Sequence, residues 1–376
     1  MANKKEKKPL TKKQRRRRRR RRLLITELVL LVVLGGMVYF YSKFGKINFE
    51  DIGNVTTNKL DAKTKELLSG YTTIALYGVD SRDMNSYKNS QSDSMIICVI
   101  DNKKKEIRMM SVYRDTYLDM DGNYKLRKCN YAYAHGGPKE SMEMLNRNLD
   151  LDIQEYVTVN WKALADAIDV AGGVEVDVTE KEAKALVDPE WFVLENTEDV
   201  IGRKTTPVKA GHRTLDGVQA VAYCRIRHGA GDDFGRATRQ RAVLASLMQK
   251  VKGESPTKLA KYVDAIFPKV STSLSMSQII GLATNVSEYK MAETAAFPFY
   301  EKGGKFPGKG YIMVPCTLED NVKKTYEYLY NKKDYEPSET VQLISKKIVR
   351  STGWSSSNSV EPHDDADTSI STKTKK

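Results

Sequence analysis

Between Tyr71 and Val112 the chain alternates short apolar runs with polar turns. Tyr71–Val79 (YTTIALYGV), Ser94–Ile100 (SMIICVI) and Lys105–Val112 (KEIRMMSV) are rich in β-branched residues and read as strands. The second run is apolar almost throughout, as in a strand buried on both faces. Asp101-Asn102-Lys103 turns the chain between the second and third. Beyond residue 138 the apolar spacing becomes helical, over 139–149 and over 160–171, where Gly172-Gly173 supplies a stop signal. Short strands are expected at Glu155–Val159 and Val174–Val178. Helical spacing returns at Leu215–Tyr223, Thr238–Val251, Pro256–Ile266, Met276–Val286 and Leu318–Tyr330, and 253–350 has room for one or two more strands. Strands alternating with helices predict an α/β fold, layered about a central mixed sheet.

The ends of the chain follow other rules. Residues 23–41 (LLITELVLLVVLGGMVYFY) form one apolar stretch of about the bilayer-spanning length, roughly 20 residues. Glu27 lies near its basic end, Tyr39 and Tyr41 suit an interfacial belt, and no small-x-small cleavage site follows. An uncleaved signal anchor is expected, with residues 1–22 as a cytosolic tail and the rest outside the cell. Residues 42–70 read as a polar stalk, 71–350 as the catalytic body and 351–376 as a disordered polar tail. The net charge of +14 is misleading as a nucleic-acid signal. Residues 1–22 hold fourteen Lys/Arg and one Glu, leaving 48 basic and 47 acidic residues elsewhere. A basic nucleic-acid-binding body is therefore excluded. The four cysteines (Cys98, Cys129, Cys224 and Cys316) show no metal-ligand spacing. Cys98 reads as a packed thiol; Cys129 and Cys224 both adjoin candidate site residues, which leaves a pairing between them open.

Five segments place polar residues beside apolar strands or at helix starts, where ligands collect in open α/β sheets. They are Gly78-Val79-Asp80-Ser81-Arg82, Ser92-Asp93-Ser94, Tyr113-Arg114-Asp115-Thr116, the run from Lys128 to Gly137 (KCNYAYAHGG), and AVAYCRIRHGAGDDFGRATRQRAVL. The last contains Tyr223, Arg225, Arg227, Asp232, Asp233, Arg236, Arg239 and Gln240. Guanidinium groups grip phosphate through paired donors, and acids among them suit proton or metal handling. Each segment alone has an ordinary reading. Asp80 and Asp93 suit turns or caps, Arg114–Asp115 a structural ion pair, Lys128 a solvated lysine and the last run an ion-paired surface helix. His135 and His228 adjoin the motifs, but no Ser-His-Asp triad or HExxH spacing is present.

Taken jointly, GVDSR, SDSMII, SVYRDTYL, KCNYAYAHGG, VNWKALADAIDVAGGVEVDV, AGHRTLDGVQAVAYCRIRH and DDFGRATRQRAVL resemble, in order and spacing, the LytR-CpsA-Psr family of bacterial cell-wall phosphotransferases. The resemblance covers roughly residues 72–252. Two positions depart from the family pattern. Tyr113 stands where Pro usually precedes the Arg-Asp pair, and Tyr131 replaces the His of KINHAYA; neither removes a charge.

The resemblance implies transfer of a glycopolymer (teichoic acid, capsule or a similar chain) from polyprenyl pyrophosphate to peptidoglycan, through a phosphodiester. It also implies an α-β-α sandwich with a hydrophobic channel for the lipid, to which the helices at 160–171 and 238–251 are expected to contribute. On this reading Asp80 and Asp93 bind Mg²⁺, and Asp233 is the general base, with Asp232 an open alternative. Arg114, Arg225, Arg227 and Arg236 stabilise charge on the reacting phosphates, and Asp115 orients Arg114. Lys128, Arg82, Arg239 and Gln240 bind the pyrophosphate. Partners are the lipid-linked polymer, peptidoglycan and the membrane, with no nucleic acid. A pyrophosphate hydrolase and a non-catalytic binder of anionic wall polymer are the competing readings.

Overall fold

A computed structural model describes residues 48–79, 92–266 and 269–360. The basic tail, the expected anchor, Asp80 and Arg82 lie outside the described residues, as does the chain after 360. Among the described residues no helix is long and apolar enough to cross a membrane.

Eight strands build the central sheet: β1 (Asn48–Phe49), β2 (Tyr71–Val79), β3 (Ser92–Asp101), β4 (Glu106–Val112), β7 (Glu155–Asn160), β10 (Val270–Thr272), β11 (Lys290–Met291) and β12 (Ala295–Phe297). Their order is β1-β10-β7-β2-β3-β4-β11, with β12 also paired to β4. β2 is parallel to β7 and antiparallel to β3, which is antiparallel to β4. Strands β2, β4 and β7 therefore end, and β3 begins, at one edge of a mixed sheet. Three two-stranded ribbons surround it: β5 (Tyr117–Asp119) with β6 (Leu126–Lys128), β8 (Val174–Val178) with β9 (Gly211–Leu215), and β13 (Glu301–Phe306) with β14 (Gly310–Pro315).

The period-2 alternation of the strands sorts their side chains between two helical layers. Ala75, Tyr77, Val79, Met95, Ile97 and Val99 face helices α2 (Asn130–Leu149), α10 (Leu318–Tyr330) and α11 (Glu339–Thr352). Ile74, Ile96, Cys98 and Ile100 face the other way, towards Leu244 and Met248 of α7 (Asp232–Lys252) and Ile279 and Leu282 of α9 (Met276–Thr284). β3 is thus buried on both faces, as its composition requires. A further core joins α3 (Trp161–Ala171), α5 (Val193–Ile201), α6 (Gly217–Arg225) and the β8–β9 ribbon. The remaining helices are α1 (Ala62–Ser69), α4 (Glu180–Leu186) and α8 (Pro256–Ile266).

Local signals set several ends. Asn160 caps α3 by accepting from the Ala163 amide at 2.8 Å, and Gly172 closes that helix at φ 80°. Asp216 and Gln219 form a capping box, so α6 begins at Gly217 and Leu215 closes strand β9 instead of opening a helix. β8 consequently pairs with β9 outside the central sheet. Five strands, most of them two or three residues long, occupy 253–350 in place of the one or two expected. Such short pairings carry too few residues for a periodic signal.

The ends of the body also differ from expectation. From residue 48 the supposed stalk belongs to the fold: β1 pairs with β10, and Val55 and Leu68 enter the main core. At the other end the chain is ordered to residue 360. Trp354 packs edge-on against Phe306 with ring centroids 4.8 Å apart, and Val360 bridges to Glu301. The buried carboxylate of Asp150 ties both ends together, accepting from Asn58 Nδ2, Tyr335 Oη, and the Ser338 amide and hydroxyl. All four cysteines are free and buried, so Cys129 and Cys224 do not pair; the Cys129 thiol donates to the Tyr113 carbonyl at 3.1 Å.

Gly217 lets α6 approach α3 closely. A Cβ there would lie 2.2 Å from the Ala165 carbonyl oxygen. Gly217→Ala is expected to lower the melting temperature, at a cost of about 1–3 kcal/mol for overpacking. Gly281→Ala, in helix α9 with open space around it, should be neutral or stabilising by up to about 1 kcal/mol. Thermal unfolding of both variants measures the contrast.

Candidate active site

The shared sheet edge gathers the charged motifs. Asp93 is the second residue of β3, Arg114 lies two residues beyond β4, and Lys128 ends β6. Arg225 is the last residue of α6, while Asp233 and Arg236 sit at the start of α7. Asp93 Oδ1 accepts from Arg114 Nη1 at 2.9 Å and from Arg227 Nη2 at 3.1 Å. Arg114 Nε lies 3.6 Å from Asp233 Oδ2 and 3.7 Å from Asp115 Oδ2. Asp115 Oδ1 receives Lys128 Nζ at 2.8 Å, and Asp233 Oδ1 receives Arg236 Nη2 at 3.0 Å. One connected network thus holds Asp93, Arg114, Asp115, Lys128, Arg227, Asp233 and Arg236. Asp232 is exposed.

The balance of charge differs along the network. Burial opposes the charge on Arg114, but the carboxylates of Asp233, Asp93 and Asp115 together outweigh it and raise its pKa. Arg236 is only 5% exposed, and burial pulls its pKa down to about 10, with Asp233 counteracting and Arg227 and Arg114 adding to the fall. Among the described residues its Nη1 is buried without a hydrogen-bond partner, as is the indole Nε1 of Trp161. A buried donor without an acceptor costs roughly 1–3 kcal/mol, more for a charged group.

Both residues line a cleft of about 220 Å³, together with Asp93, Trp191, Val193, Asn196, Cys224, Arg225, Arg227 and His228. Arg225 Nη1 donates to the Thr197 hydroxyl at 3.0 Å. The lining thus combines cation and amide donors with Trp161, Trp191 and Val193. Sequence reasoning missed Trp191, Val193 and Asn196. Residues 179–210 carry no recognisable motif, and their helices reach the cleft only through packing on α3 and α6.

Two expected phosphate ligands lie elsewhere. Arg239 is 2% exposed and donates to the carbonyls of Ile226 and Ala230 at 2.6 and 2.7 Å, and to Glu182 Oε1 at 3.3 Å. Gln240 Nε2 donates to the Cys224 carbonyl at 3.4 Å. Arg239 is committed to the connection between α6 and α7 and Gln240 to the end of α6, and neither lines the cleft. Arg239 holds in place the loop that carries Arg227. His228 stacks on Trp191 at 3.7 Å between ring centroids. His135 is exposed and bonded to Glu140, 2.7 Å away.

Among the described residues no group of three or more His, Cys, Asp or Glu side chains is placed to hold a metal. Asp93 nonetheless suits a hard cation: its side chain is 21% exposed, and both guanidinium contacts fall on Oδ1. Magnesium commonly takes one or two carboxylates and completes its shell with phosphate and water.

The model of the LytR_cpsA_psr family matches residues 36–327. The chain belongs to that family. It is 28% identical over 253 residues to the polyisoprenyl-teichoic acid–peptidoglycan teichoic acid transferase TagU of Enterococcus faecalis, covering 66% of this chain and 76% of that one. The enzyme of the same description from Bacillus cereus is 30% identical over 264 residues, covering 68% and 79%. Among solved structures, TagV of B. subtilis superposes with a TM-score of 0.55 at 26% identity, over 71% of this chain and 98% of that one. The α/β fold about a mixed sheet is thus the fold of this family.

Arg236 and Arg239, one helical turn apart, should respond oppositely to the same substitution. Arg236→Met removes a poorly compensated buried cation and leaves the half-exposed Asp233 solvated, so the melting temperature should hold or rise. Arg239→Met strands the buried Glu182 and two loop carbonyls, and should cost about 3–5 kcal/mol. Urea unfolding of the two variants beside wild type measures both.

Proposed function

We propose that this chain is a phosphotransferase that moves a wall glycopolymer from a polyprenyl pyrophosphate to peptidoglycan. The observation that carries the reading is the cationic network around Asp93 at the sheet edge, on a chain whose relatives are named teichoic acid transferases. Pyrophosphate between two large groups needs charge neutralisation on both phosphorus atoms. Arg114, Arg227 and Arg236 are preset for this, with Arg225 and Lys128 beside them.

In the reaction an acceptor sugar hydroxyl attacks the phosphorus attached to the donor sugar. A new O–P bond forms, the bridging P–O bond breaks, and polyprenyl phosphate leaves with the electron pair. Asp233 is placed to take the hydroxyl proton. Its present partners Arg114 and Arg236 are the cations an incoming phosphate attracts, which loosens their hold on the carboxylate. Such transfers depend mainly on positioning and electrostatics. Asp115 orients Arg114 and Lys128. Mg²⁺ held by Asp93 and Asp80 with donor phosphate would add charge neutralisation at the same point.

The lipid has a matching surface. Leu76, Val157, Leu244, Met248, Ile279 and Leu282 are half-buried along the sheet face under α7 and α9, and apolar α9 has no buried residue. An isoprenoid tail covering them would gain about 0.8 kcal/mol per methylene-sized unit. On this reading α7 would contribute through 238–251, whereas the inward residues of α3 are packed into a core with α5, α6 and the β8–β9 ribbon. Residues 23–41 as a signal anchor would hold the body outside the cell, next to the bilayer carrying the donor.

The full-length protein in detergent, given a short-chain polyprenyl-pyrophosphate glycan, Mg²⁺ and peptidoglycan fragments, should form a phosphodiester on the glycan. Asp93→Ala and Arg225→Ala should each lower the rate about 10²–10³-fold, and chelation should abolish transfer until Mg²⁺ is restored. Free sugar phosphate without acceptor labelling would instead mark a hydrolase, and donor binding without turnover a binding protein.

A further inference from the structure

The cleft that the arginines line also contains Trp161, Trp191, Val193 and Asn196, none of them a cation that would grip phosphate, with His228 stacked on Trp191 at an interplanar angle of 18°. Trp191 is 40% exposed, and Val187 and Phe192 continue an apolar ridge from it at 50% and 46% exposure. This ridge is ordered. The Trp191 and Phe192 amides donate to the Asp188 carbonyl, the Glu190 amide donates to Asp188 Oδ1, and Asn196 Nδ2 donates to the Trp191 carbonyl. Phe192 takes a left-handed conformation at φ 48°, which a bulky residue rarely adopts. The fold thus holds two large aromatic rings out of the core in a disfavoured backbone arrangement. Such strain persists where the surroundings impose it, often beside a ligand.

We infer that Trp191, backed by His228, is the stacking platform for the acceptor sugar, with Asn196 and the indole N–H of Trp161 as hydroxyl partners. The inference rests on the transferase reading and names how its second substrate is held. Three observations favour an uncharged saccharide here. A pyranose ring presents a flat face of C–H groups that suits an aromatic ring, and hydroxyls that suit nearby donors and acceptors. Trp161 lines the cleft, and its buried Nε1 has no acceptor among the described residues, so a sugar oxygen would satisfy it. The ridge is also acidic: residues 188–199 hold Asp188, Glu190, Glu195, Glu198 and Asp199 and no Lys or Arg. That charge repels an anionic polymer and leaves the neutral glycan backbone of the acceptor as the favoured occupant.

The test uses the full-length protein and varies donor and acceptor separately. Trp191→Ala should raise the acceptor KM at least tenfold, leaving kcat and the donor KM within about twofold. Trp191→Phe should recover most of the loss. Calorimetric titration should show a peptidoglycan disaccharide, its lactyl carboxyl capped as an amide, binding wild type but not Trp191→Ala, while inorganic pyrophosphate binds both alike. A rise in donor KM instead would assign the ridge to the donor sugar and overturn the inference, as would unchanged KM values for both substrates. Should wild type catalyse no transfer, the transferase reading fails, and disaccharide titration still decides the platform: no binding by wild type overturns it.

Discussion

A single carboxylate oxygen organises the cleft. Asp93 Oδ1 holds Arg114, from the end of β4, and Arg227, from the connection between α6 and α7. Without it, the guanidiniums of Arg114 and Arg227 would lose the carboxylate they share at a partly dry sheet edge, where repulsion is weakly screened. Asp233 does the same for Arg114 and Arg236, and Asp115 for Arg114 and Lys128. The acids interleave with the cations, so the cluster stays assembled with no anion bound. On the proposed reading, an incoming pyrophosphate would compete for cations already in position, which would spare it most of the reorganisation.

Helix α7 shows how the fold separates anchoring from chemistry. Arg236 lines the cleft with a donor left over among the described residues, while Arg239 turns to the carbonyls of the preceding loop and Gln240 to that of Cys224 in α6. The second pair ties α7 to the loop and to α6; the first pair of charges, Asp233 and Arg236, joins the network at the sheet edge. Along the same helix Leu244 and Met248 meet the sheet face proposed for the lipid. One rigid element therefore registers phosphate site against apolar seam, so that a change in helix position would move both together.

Much of this was legible from residue order. The three strands around the turn at Asp101, the stop at Gly172 and the acids and arginines beside apolar runs follow from local periodicity and capping. Asp93, Arg114, Asp115, Lys128, Arg225, Arg227, Asp233 and Arg236 were all picked out, and the network or the cleft wall includes every one. The failures share a cause. Arg239 is the same residue type as Arg236 and only three positions away, yet its direction depends on where the α6–α7 connection presents its carbonyls. The segment 48–70 looks like a stalk because its composition is polar; a few apolar residues and the distant Asp150 order it.

The sequence by itself determined the strand and helix periods, the capped ends and the inventory of charge, because these depend on neighbours within a few positions. Only the tertiary structure decided which arginine lines the cleft and which meets backbone. It also decided that Cys129 and Cys224 stay apart and that Trp191 lines the same cleft as the arginines. Those outcomes depend on contacts between residues tens to hundreds of positions apart, and no local pattern encodes such distances.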